Sequence, residues 1–320
     1  ITRIRGTNGS DDLFATTSSQ GLYGLRGADT LTSLFSSVAL FGGRGRDKLR
    51  TTITADTPAA DSLEANGHQF GGSGADDLRA AITLRAQNTT DVEIALDGGG
   101  GKDKLNTKLS LTALTDAATA RAFLLAGDGD DKATLKSTLT GKSATSFAAL
   151  EGGEGQDTLR ATINAAADDG DTDSTVEMDG GVGDDTLELT FSALAEKESA
   201  ARVSLLGGDG DDTATLKSTL TGKSATSFAA REGGVGQDTL RAMINAAARD
   251  GDVDSAVEMD GGVDDDTLEL TFSALAEKAS DARVSLLGGD GDDTILIKGD
   301  VGGYDGGVGD FIARGGSGND

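Results

Sequence analysis

The sequence predicts an all-β fold, a right-handed parallel β-roll (a β-solenoid) of about twelve to thirteen coils. Three observations predict it. Glycine-rich octets with Asp at the sixth place recur along nearly all of the 320 residues. The segments between the octets alternate apolar and polar residues, as strands with one buried face do. The chain also has 48 Gly, one Pro and only 4% aromatic residues, which suits a thin, elongated core.

Twelve regular octets set the length of each coil. A spacing of 18 residues predicts two strands and two tight turns, and a spacing near 27 predicts the same coil with one turn enlarged by about nine residues. Degenerate or cut-off copies begin at Gly306 and Gly315. The regular octets begin at Gly6, Gly24, Gly42, Gly71, Gly98, Ala126, Gly152, Gly180, Gly207, Gly233, Gly261 and Gly288.

The segments between octets predict strand, loop and strand in that order. Residues 186–191 and 203–205 alternate with period two and should be strands. Residues 192–198 lack glycine and favour a helical turn, and residues 168–171 form a polar loop. We therefore expect the Gly-Asp turns to stack on one edge of the solenoid and longer, variable loops to line the other edge.

The whole chain, residues 1–320, is predicted to be a single solenoid domain. Short coils occupy 1–70, coils of about 27 residues occupy 71–295, and short coils return in 296–320. Within the central part, residues 134–214 match residues 215–295 at an offset of 81 with only ten changes, among them Leu150 to Arg231 and Asp168 to Arg249. Duplication of a three-coil block explains this match, because a stack that grows by whole coils tolerates it.

Charge excludes several classes of partner. The formal net charge is −26, from 54 acidic and 28 basic residues, so nucleic acid and anionic membrane surfaces are repelled and a positive ligand is expected. No apolar run approaches the roughly 18 residues that span a bilayer, so we expect no membrane insertion. The absence of Cys removes disulfides and thiolate metal sites.

The octets carry the residue types of a calcium site. Ca²⁺ takes six to eight oxygen ligands from carboxylates and backbone carbonyls, and glycines with positive φ can turn carbonyls toward one point. We expect additional ligands at the third-place Asp128, Asp209 and Asp290, and at the first-place Gly152, Gly180, Gly207, Gly233, Gly261 and Gly288. The sixth-place ligands would be Asp11, Asp29, Asp47, Asp76, Asp103, Asp131, Asp157, Asp185, Asp212, Asp238, Asp266 and Asp293.

On these residues the chain resembles the RTX, or hemolysin-type calcium-binding repeat, family over nearly its whole length. The resemblance implies ions held between successive turns of a parallel β-roll, here about eight to eleven Ca²⁺. It also implies a secreted bacterial protein exported by type I secretion. We expect a non-enzymatic structural repeat protein of a surface layer, fibre or adhesin stalk. The alternative is the C-terminal folding and secretion module of a secreted enzyme or toxin.

Some octets depart from the family pattern. Arg26, Arg44, Arg46 and Lys102 occupy third or fifth places in the first half, where a cation opposes Ca²⁺ by repulsion. Either such a side chain replaces the ion, or it points away and the affinity falls. Asp264 replaces the fourth-place Gly, which places that turn in doubt. In the copy at Gly306 the sixth place is Phe311, so no ion is assigned there.

Other functions find little support in the sequence. His68, the only histidine, lies in a predicted loop without an obvious Ser/Asp pair, so a catalytic triad is disfavoured. Residues 140–143 lack the upstream Gly of a phosphate-binding loop. Ice binding would need a regular row of Thr and Asn in the turns, and Thr7-Asn8 occurs once. We therefore expect no enzyme activity.

Self-association is expected from the open ends of the solenoid. The end coils present strand edges with unpaired N–H and C=O groups, which are a template for further strands. Neither end of the sequence shows an atypical capping repeat. We expect copies to associate end to end, or side by side, once calcium has ordered them.

Overall fold

The computed structural model describes residues 2–57, 61–277, 280–303 and 307–318, without the side chains of 302–303 and 307–308. These residues form 25 β-strands and no helix. They accordingly contain no candidate membrane-spanning helix. The strands are β1 (Thr2–Arg5), β2 (Asp12–Phe14), β3 (Gln20–Arg26), β4 (Thr30–Ser33), β5 (Val38–Arg44), β6 (Lys48–Thr57), β7 (Ser62–Ser73), β8 (Asp77–Ala86), β9 (Thr89–Gly100), β10 (Lys104–Ala113), β11 (Ala117–Asp128), β12 (Lys132–Gly141), β13 (Ser143–Glu154), β14 (Thr158–Ala167), β15 (Thr172–Val182), β16 (Thr186–Ala195), β17 (Glu198–Asp209), β18 (Thr213–Gly222), β19 (Ser224–Val235), β20 (Thr239–Ala248), β21 (Val253–Val263), β22 (Thr267–Ala276), β23 (Ser280–Asp290), β24 (Thr294–Gly303) and β25 (Gly307–Ser317).

The strands form two parallel sheets that face each other. All 13 odd-numbered strands follow one another in one sheet, and all 12 even-numbered strands follow one another in the second. Each strand pairs in parallel with the strand two places further along the chain, for example β9 with β11 and β10 with β12. The chain therefore crosses from sheet to sheet at every turn and stacks coil on coil. This confirms the predicted all-β solenoid of the parallel β-roll type.

The predicted enlarged loops are wrong, because the extra residues of the long coils lengthen the strands. In a short coil β3 and β4 have seven and four residues, whereas β9 and β10 have twelve and ten. The segment expected to be a helical turn belongs mostly to β16 and β17, and only Glu196 and Lys197 lie between them. A strand residue bonds its N–H and C=O to the neighbouring coils, whereas a loop residue must find partners elsewhere. Residues 168–171 do form a turn, as predicted.

Strand lengths also correct the predicted limits of the short coils. The ten-residue strand β6 already belongs to a long coil and starts at Lys48, within the range 1–70. At the other end β24 and β25 have ten and eleven residues, so the coil beyond residue 296 is long as well. Residues 307–313 of the degenerate copy lie inside β25, in register with residues 280–286 of β23, and form no turn. The last turn is instead the one in which Gly316 pairs with Gly289.

The core is the narrow space between the two sheets. The sequence pattern predicts that apolar residues two places before an octet and at its eighth place point inward, and residues such as Leu96 and Leu105 are buried there. Two buried polar residues interrupt the first of these rows. Gln69 donates hydrogen bonds to Thr51 Oγ1 at 3.0 Å and to the carbonyl oxygen of Arg79 at 2.8 Å. Arg231 is fully buried as well, and it is discussed below.

Candidate metal site

The octets form one edge of the solenoid, as predicted. Each octet begins in the last residues of an odd-numbered strand and ends in the first residues of the next even-numbered strand. Second-place glycines stack in register from coil to coil, Gly43 on Gly72 and Gly72 on Gly99. We call this side of the molecule the turn edge. Along the turn edge, residues at the same place of successive octets therefore lie one above another.

Both conformation and space favour glycine at the second place of most octets. Gly72 has a φ of +106°, and an added Cβ would collide with the carbonyl oxygen of Gly43 in the preceding coil. Two side-chain residues nevertheless adopt positive φ at turn positions, Leu25 and Asp264, each at 84°. The N–H of Asp264 still donates to the carbonyl oxygen of Asp290 at 2.7 Å. The turn that the missing glycine placed in doubt is therefore preserved.

The sixth-place Asp side chains stack into a continuous row, which we call the Asp column. The backbone N–H of each column residue donates to Oδ1 of the next, for instance Asp157 to Asp185 at 2.6 Å and Asp185 to Asp212 at 2.7 Å. This ladder runs without a break from Asp11 to Asp293, with donor–acceptor distances between 2.6 and 2.9 Å. Each Asp therefore connects two coils through its own side chain.

The second carboxylate oxygen of the column has no such partner. In the column residues from Asp29 to Asp266, Oδ2 is buried and accepts no hydrogen bond from the described residues. Asp11, at the start of the row, differs because its Oδ2 accepts from the N–H and the Oγ1 of Thr7. The unpartnered atoms are Oδ2 of Asp29, Asp47, Asp76, Asp103, Asp131, Asp157, Asp185, Asp212, Asp238 and Asp266.

Each orphaned oxygen lies beside the first-place residue of its own octet. A Cβ added to Gly71 would be 2.7 Å from Oδ2 of Asp76 and 2.5 Å from the carbonyl oxygen of Gly98 in the next coil. A carboxylate oxygen and a carbonyl oxygen of adjacent coils thus converge on this glycine. The predicted first-place glycines share the arrangement, each next to its Asp and to a carbonyl of the following coil: Gly152, Gly180, Gly207, Gly233, Gly261 and Gly288.

Burial shifts the column toward its protonated form. Loss of hydration raises the pKa of Asp76, Asp131, Asp185, Asp212 and Asp238 to about 7, and that of Asp103 and Asp266 to about 6. The backbone N–H that each carboxylate accepts lowers the pKa and only partly offsets burial. Neighbouring carboxylates of the column add to the rise, for example Asp157 and Asp212 around Asp185. The column is therefore a row of anions that needs a proton or a cation.

The predicted third-place ligands lie outside this buried row. Asp128, Asp209 and Asp290 are exposed, and Asp290 Oδ1 accepts a hydrogen bond from Ser317 Oγ at 2.5 Å. Within the described ranges no three His, Cys, Asp or Glu side chains come close enough together to hold a metal ion. A metal at the turn edge would therefore take one or two carboxylates and draw its remaining ligands from backbone carbonyls.

The residues present fit a hard, oxygen-seeking cation. The convergent donors are a carboxylate oxygen and a carbonyl oxygen, with no nitrogen or sulfur, which suits Ca²⁺ better than a soft transition metal. The orphaned Oδ2 atoms are anionic acceptors that the protein itself leaves without a donor. Only the octet at Ala126 carries a side chain at the first place, and its Asp131 still accepts the N–H of Asp103 at 2.6 Å.

Basic residues of the first coils do not replace a cation in the column. Arg44 and Arg46 are exposed, and Oδ2 of the adjacent Asp47 has no hydrogen-bond partner among the described residues. Lys102 is directed along the surface, with its Nζ 3.2 Å from Oδ2 of Asp130. Of the two outcomes expected for these side chains, the structure supports the one in which they point away.

Sequence reasoning missed the ladder of N–H to Oδ1 bonds and misplaced His68. The recurrence of Asp at one place in each octet indicates a structural or metal-binding role. It does not show that the two carboxylate oxygens have different hydrogen-bond partners. His68 lies in β7 rather than in a loop, in register with Ala39 and Ala95. Its ring is half-buried.

Comparison of the chain with models of protein families, with curated proteins and with solved structures finds no match. The RTX resemblance thus depends on the octets themselves and on the stacked turns that they form.

Proposed function

We propose that this chain is a calcium-binding, extracellular structural repeat protein of the RTX type, which folds when Ca²⁺ binds along the turn edge. One observation carries the proposal. Ten buried carboxylate oxygens, from Asp29 to Asp266, lie in a single row, one per coil, and none has a hydrogen-bond donor among the described residues. An unpaired buried charge destabilises a fold by several kcal/mol, so a row of them implies a ligand that the protein recruits.

Calcium fits this row by charge and by ligand type. When bound, a divalent cation would supply the positive charge that the Asp column lacks, and about eight to eleven of them would approach the net charge of −26 in size. Each ion would be held by column carboxylates together with backbone carbonyls of the octets. Because those groups come from adjacent coils, binding would join coil to coil and stabilise the stack.

A structural role agrees with the large share of the described residues that lie in coils. Coils account for nearly all of the described residues, and the groove lined by Lys217, Arg241 and Met243 lies on the outer face of a sheet. His68 is on a strand, with Ala39 and Ala95 as its neighbours in the sheet. Secretion and an extracellular location follow from the RTX type, since calcium is abundant outside cells and scarce within them.

The test is calcium-dependent folding. Circular dichroism of calcium-free protein at neutral pH should show a largely disordered chain that gains β-strand signal on addition of Ca²⁺, with several ions bound per chain in calorimetry. The variant Asp157→Asn/Asp185→Asn/Asp212→Asn keeps each Oδ1 acceptor and removes three orphaned carboxylate oxygens. It should bind fewer ions and need more calcium to fold.

The matched control changes fifth-place residues of the turn edge. Asp184→Asn/Asp211→Asn/Asp265→Asn removes the same charge from exposed side chains, which accept N–H groups of the next coil that Asn can still accept. It should bind as many ions as the unmodified protein. Equal strand content with and without calcium, or an equal loss of ions in both triple variants, would contradict the proposal.

A further inference from the structure

The first coils carry a basic surface on an otherwise acidic molecule. Residues 1–50 contain seven Lys and Arg against four Asp, whereas the other 270 residues contain 21 against 50. Two of the four, Asp29 and Asp47, are buried in the Asp column, so the surface is more basic than the count suggests. The N-terminal end and the remainder of the solenoid therefore have opposite surface charge.

Among the described residues, the basic side chains of this end form no ion pair with an acidic group. Arg26 and Arg44 are register neighbours on β3 and β5, and Arg46 follows on the same turn edge. All three are exposed, and the ion pairs found within the described ranges all lie at Asp56 or beyond. Like charges on neighbouring strands repel. An external anion would relieve that repulsion.

Backbone strain and apolar exposure coincide with these arginines. Leu25 holds a φ of 84° at the second place, where every other regular octet except the first has glycine, and its side chain is 40% exposed. A bulky residue in the left-handed region costs free energy that glycine at the same position would avoid. Leu25, Arg26, Gly43 and Arg44 also line one shallow groove together with Ser73. We call Leu25, Arg26, Arg44 and Arg46 the basic edge.

The same edge of the later coils carries the complementary residues. Its fifth places hold exposed Asp184, Asp211 and Asp265, and its third places hold Val182 and Val235, which are 53% and 49% exposed. Stacked coils repeat about every 4.8 Å on both stretches, so a row of Arg and Leu on one copy matches the spacing of a row of Asp and Val on another. We call these five residues the acidic edge.

We propose that the basic edge of one copy docks on the acidic edge of a second copy of this chain. The inference goes beyond the proposed function, because it concerns side chains directed away from the Asp column. Guanidinium–carboxylate pairs form between the copies, and Leu25 packs against the exposed valines. The two surfaces are different parts of one chain, so the contact is heterologous, and contacts of this kind add copies in a row unless a rotation closes them into a ring. The proposed product is a row of laterally overlapping solenoids.

The experiment is sedimentation velocity of the calcium-loaded protein at increasing protein concentration. Association should be strong at about 0.01 M salt and weak at about 1 M. The reason is that the Debye length, the distance over which charges interact, is about 30 Å at the lower salt concentration and about 3 Å at the higher one. The variant Arg26→Glu/Arg44→Glu/Arg46→Glu should associate about tenfold to hundredfold more weakly, since three ion pairs turn repulsive. Arg121→Glu/Arg160→Glu/Arg241→Glu makes the same change of charge on the strand surfaces and should associate as the unmodified protein does.

Mixing two defective variants gives the sharpest test. The Asp184→Asn/Asp211→Asn/Asp265→Asn variant retains only the basic edge, and the Arg26→Glu/Arg44→Glu/Arg46→Glu variant retains only the acidic edge. Each should be monomeric alone, and their mixture should form one-to-one dimers and nothing larger. Circular dichroism of each variant verifies that it is folded. Dimer formation by either variant alone to the same extent as the unmodified protein overturns the inference.

Other outcomes are equally decisive. A monomeric unmodified protein at low salt overturns the inference, and so does a mixture of the variants that stays monomeric. Binding of a soluble acidic polysaccharide by unmodified protein that does not self-associate would assign the basic edge to a foreign polyanion instead of a second copy. Failure of the proposed function would appear separately, as a fold that forms without calcium, and would leave the salt-dependent association to be measured.

Discussion

At the scale of single residues, Arg231 conflicts most with its surroundings. Its side chain is fully buried, and its Nε, Nη1 and Nη2 atoms have no hydrogen-bond partner within the described part of the chain. Leu205 and Met259 are its neighbours in the sheet. Burial lowers the pKa of this guanidinium to about 9. A charge without a partner in an apolar core is strongly destabilising.

The internal duplication supplies a matched comparison for Arg231. The corresponding residue of the first copy is Leu150, which lies between Leu124 and Met178 in the same sheet. Arg231→Leu should therefore stabilise the calcium-loaded protein by about 3 kcal/mol or more, measured as a higher midpoint of urea unfolding. The reverse change, Leu150→Arg, should destabilise it by a similar amount.

A second position of the duplication is the control for this pair. Arg249 is exposed in a turn and corresponds to Asp168 of the first copy, so Arg249→Asp should change stability by no more than about 0.5 kcal/mol. An unchanged or lower unfolding midpoint for Arg231→Leu would show that the guanidinium has partners in solution that satisfy it.

At the scale of the turn, the structure separates two roles of the octet. The glycines let successive turns approach closely, and the Asp both bridges to the next coil through Oδ1 and presents Oδ2 to the site. Third- and fifth-place side chains are exposed and do not face the site, although fifth-place Asp184, Asp211 and Asp265 each accept an N–H of the next coil. Variation at these places therefore alters the charge around each site while the stacking of the coils is kept.

Calcium affinity should follow this variation along the solenoid. On the proposed function, sites near Arg44, Arg46 and Lys102 should fill at higher calcium concentration than those between Asp184 and Asp293, because nearby cations repel the ion and nearby carboxylates attract it. Ion density in each gap between coils, in crystals grown at limiting calcium, measures the difference. Identical density in the first four gaps and in the later gaps would show that these side chains do not affect binding.

At the scale of the whole molecule, the fold accumulates one buried carboxylate with every coil. Each new coil adds strand hydrogen bonds and apolar contacts, and it also adds an Asp that is costly to bury as an anion. The balance therefore depends on what neutralises the column. Calcium and protons are two ways to do so, and they compete for the same oxygen atoms.

This competition predicts how stability depends on pH. Because the pKa of column residues such as Asp185 is raised from 3.8 to about 7, the folded chain binds more protons than the unfolded chain between these values. Stability of the calcium-free protein should then fall as pH rises from about 4 to about 7. Circular dichroism of calcium-free protein at about pH 5 and about pH 8 measures this, with more β-strand signal expected at pH 5.

Calcium should offset most of that loss of stability at neutral pH and above, because the Asp column is then ionised and ready to bind the ion. The calcium-loaded protein is the control and should unfold at a similar temperature at pH 7 and pH 8. A calcium-free protein that is more stable at pH 8 than at pH 5 would contradict the argument from buried carboxylates.

The amino-acid sequence was sufficient to predict the solenoid, its stacked turns and its rows of inward-facing apolar residues. Local patterns carry this information, since a period of two marks strand faces and an octet with Gly and Asp marks a turn wherever it occurs. Leu96, Leu105 and the Asp column were placed correctly for that reason. The same patterns identified Arg231 as an exception without showing that it is buried.

The interactions between neighbouring coils became visible only in the three-dimensional structure. Residues 192–198 favour a helical turn when considered locally, but parallel strands on both sides offer every N–H and C=O of an extended segment a partner, so β16 and β17 absorb them. The division of each Asp into a bridging Oδ1 and an orphaned Oδ2 likewise arises only when coil lies on coil. Contacts between residues 18 to 29 positions apart are absent from local sequence, and those contacts define the candidate site.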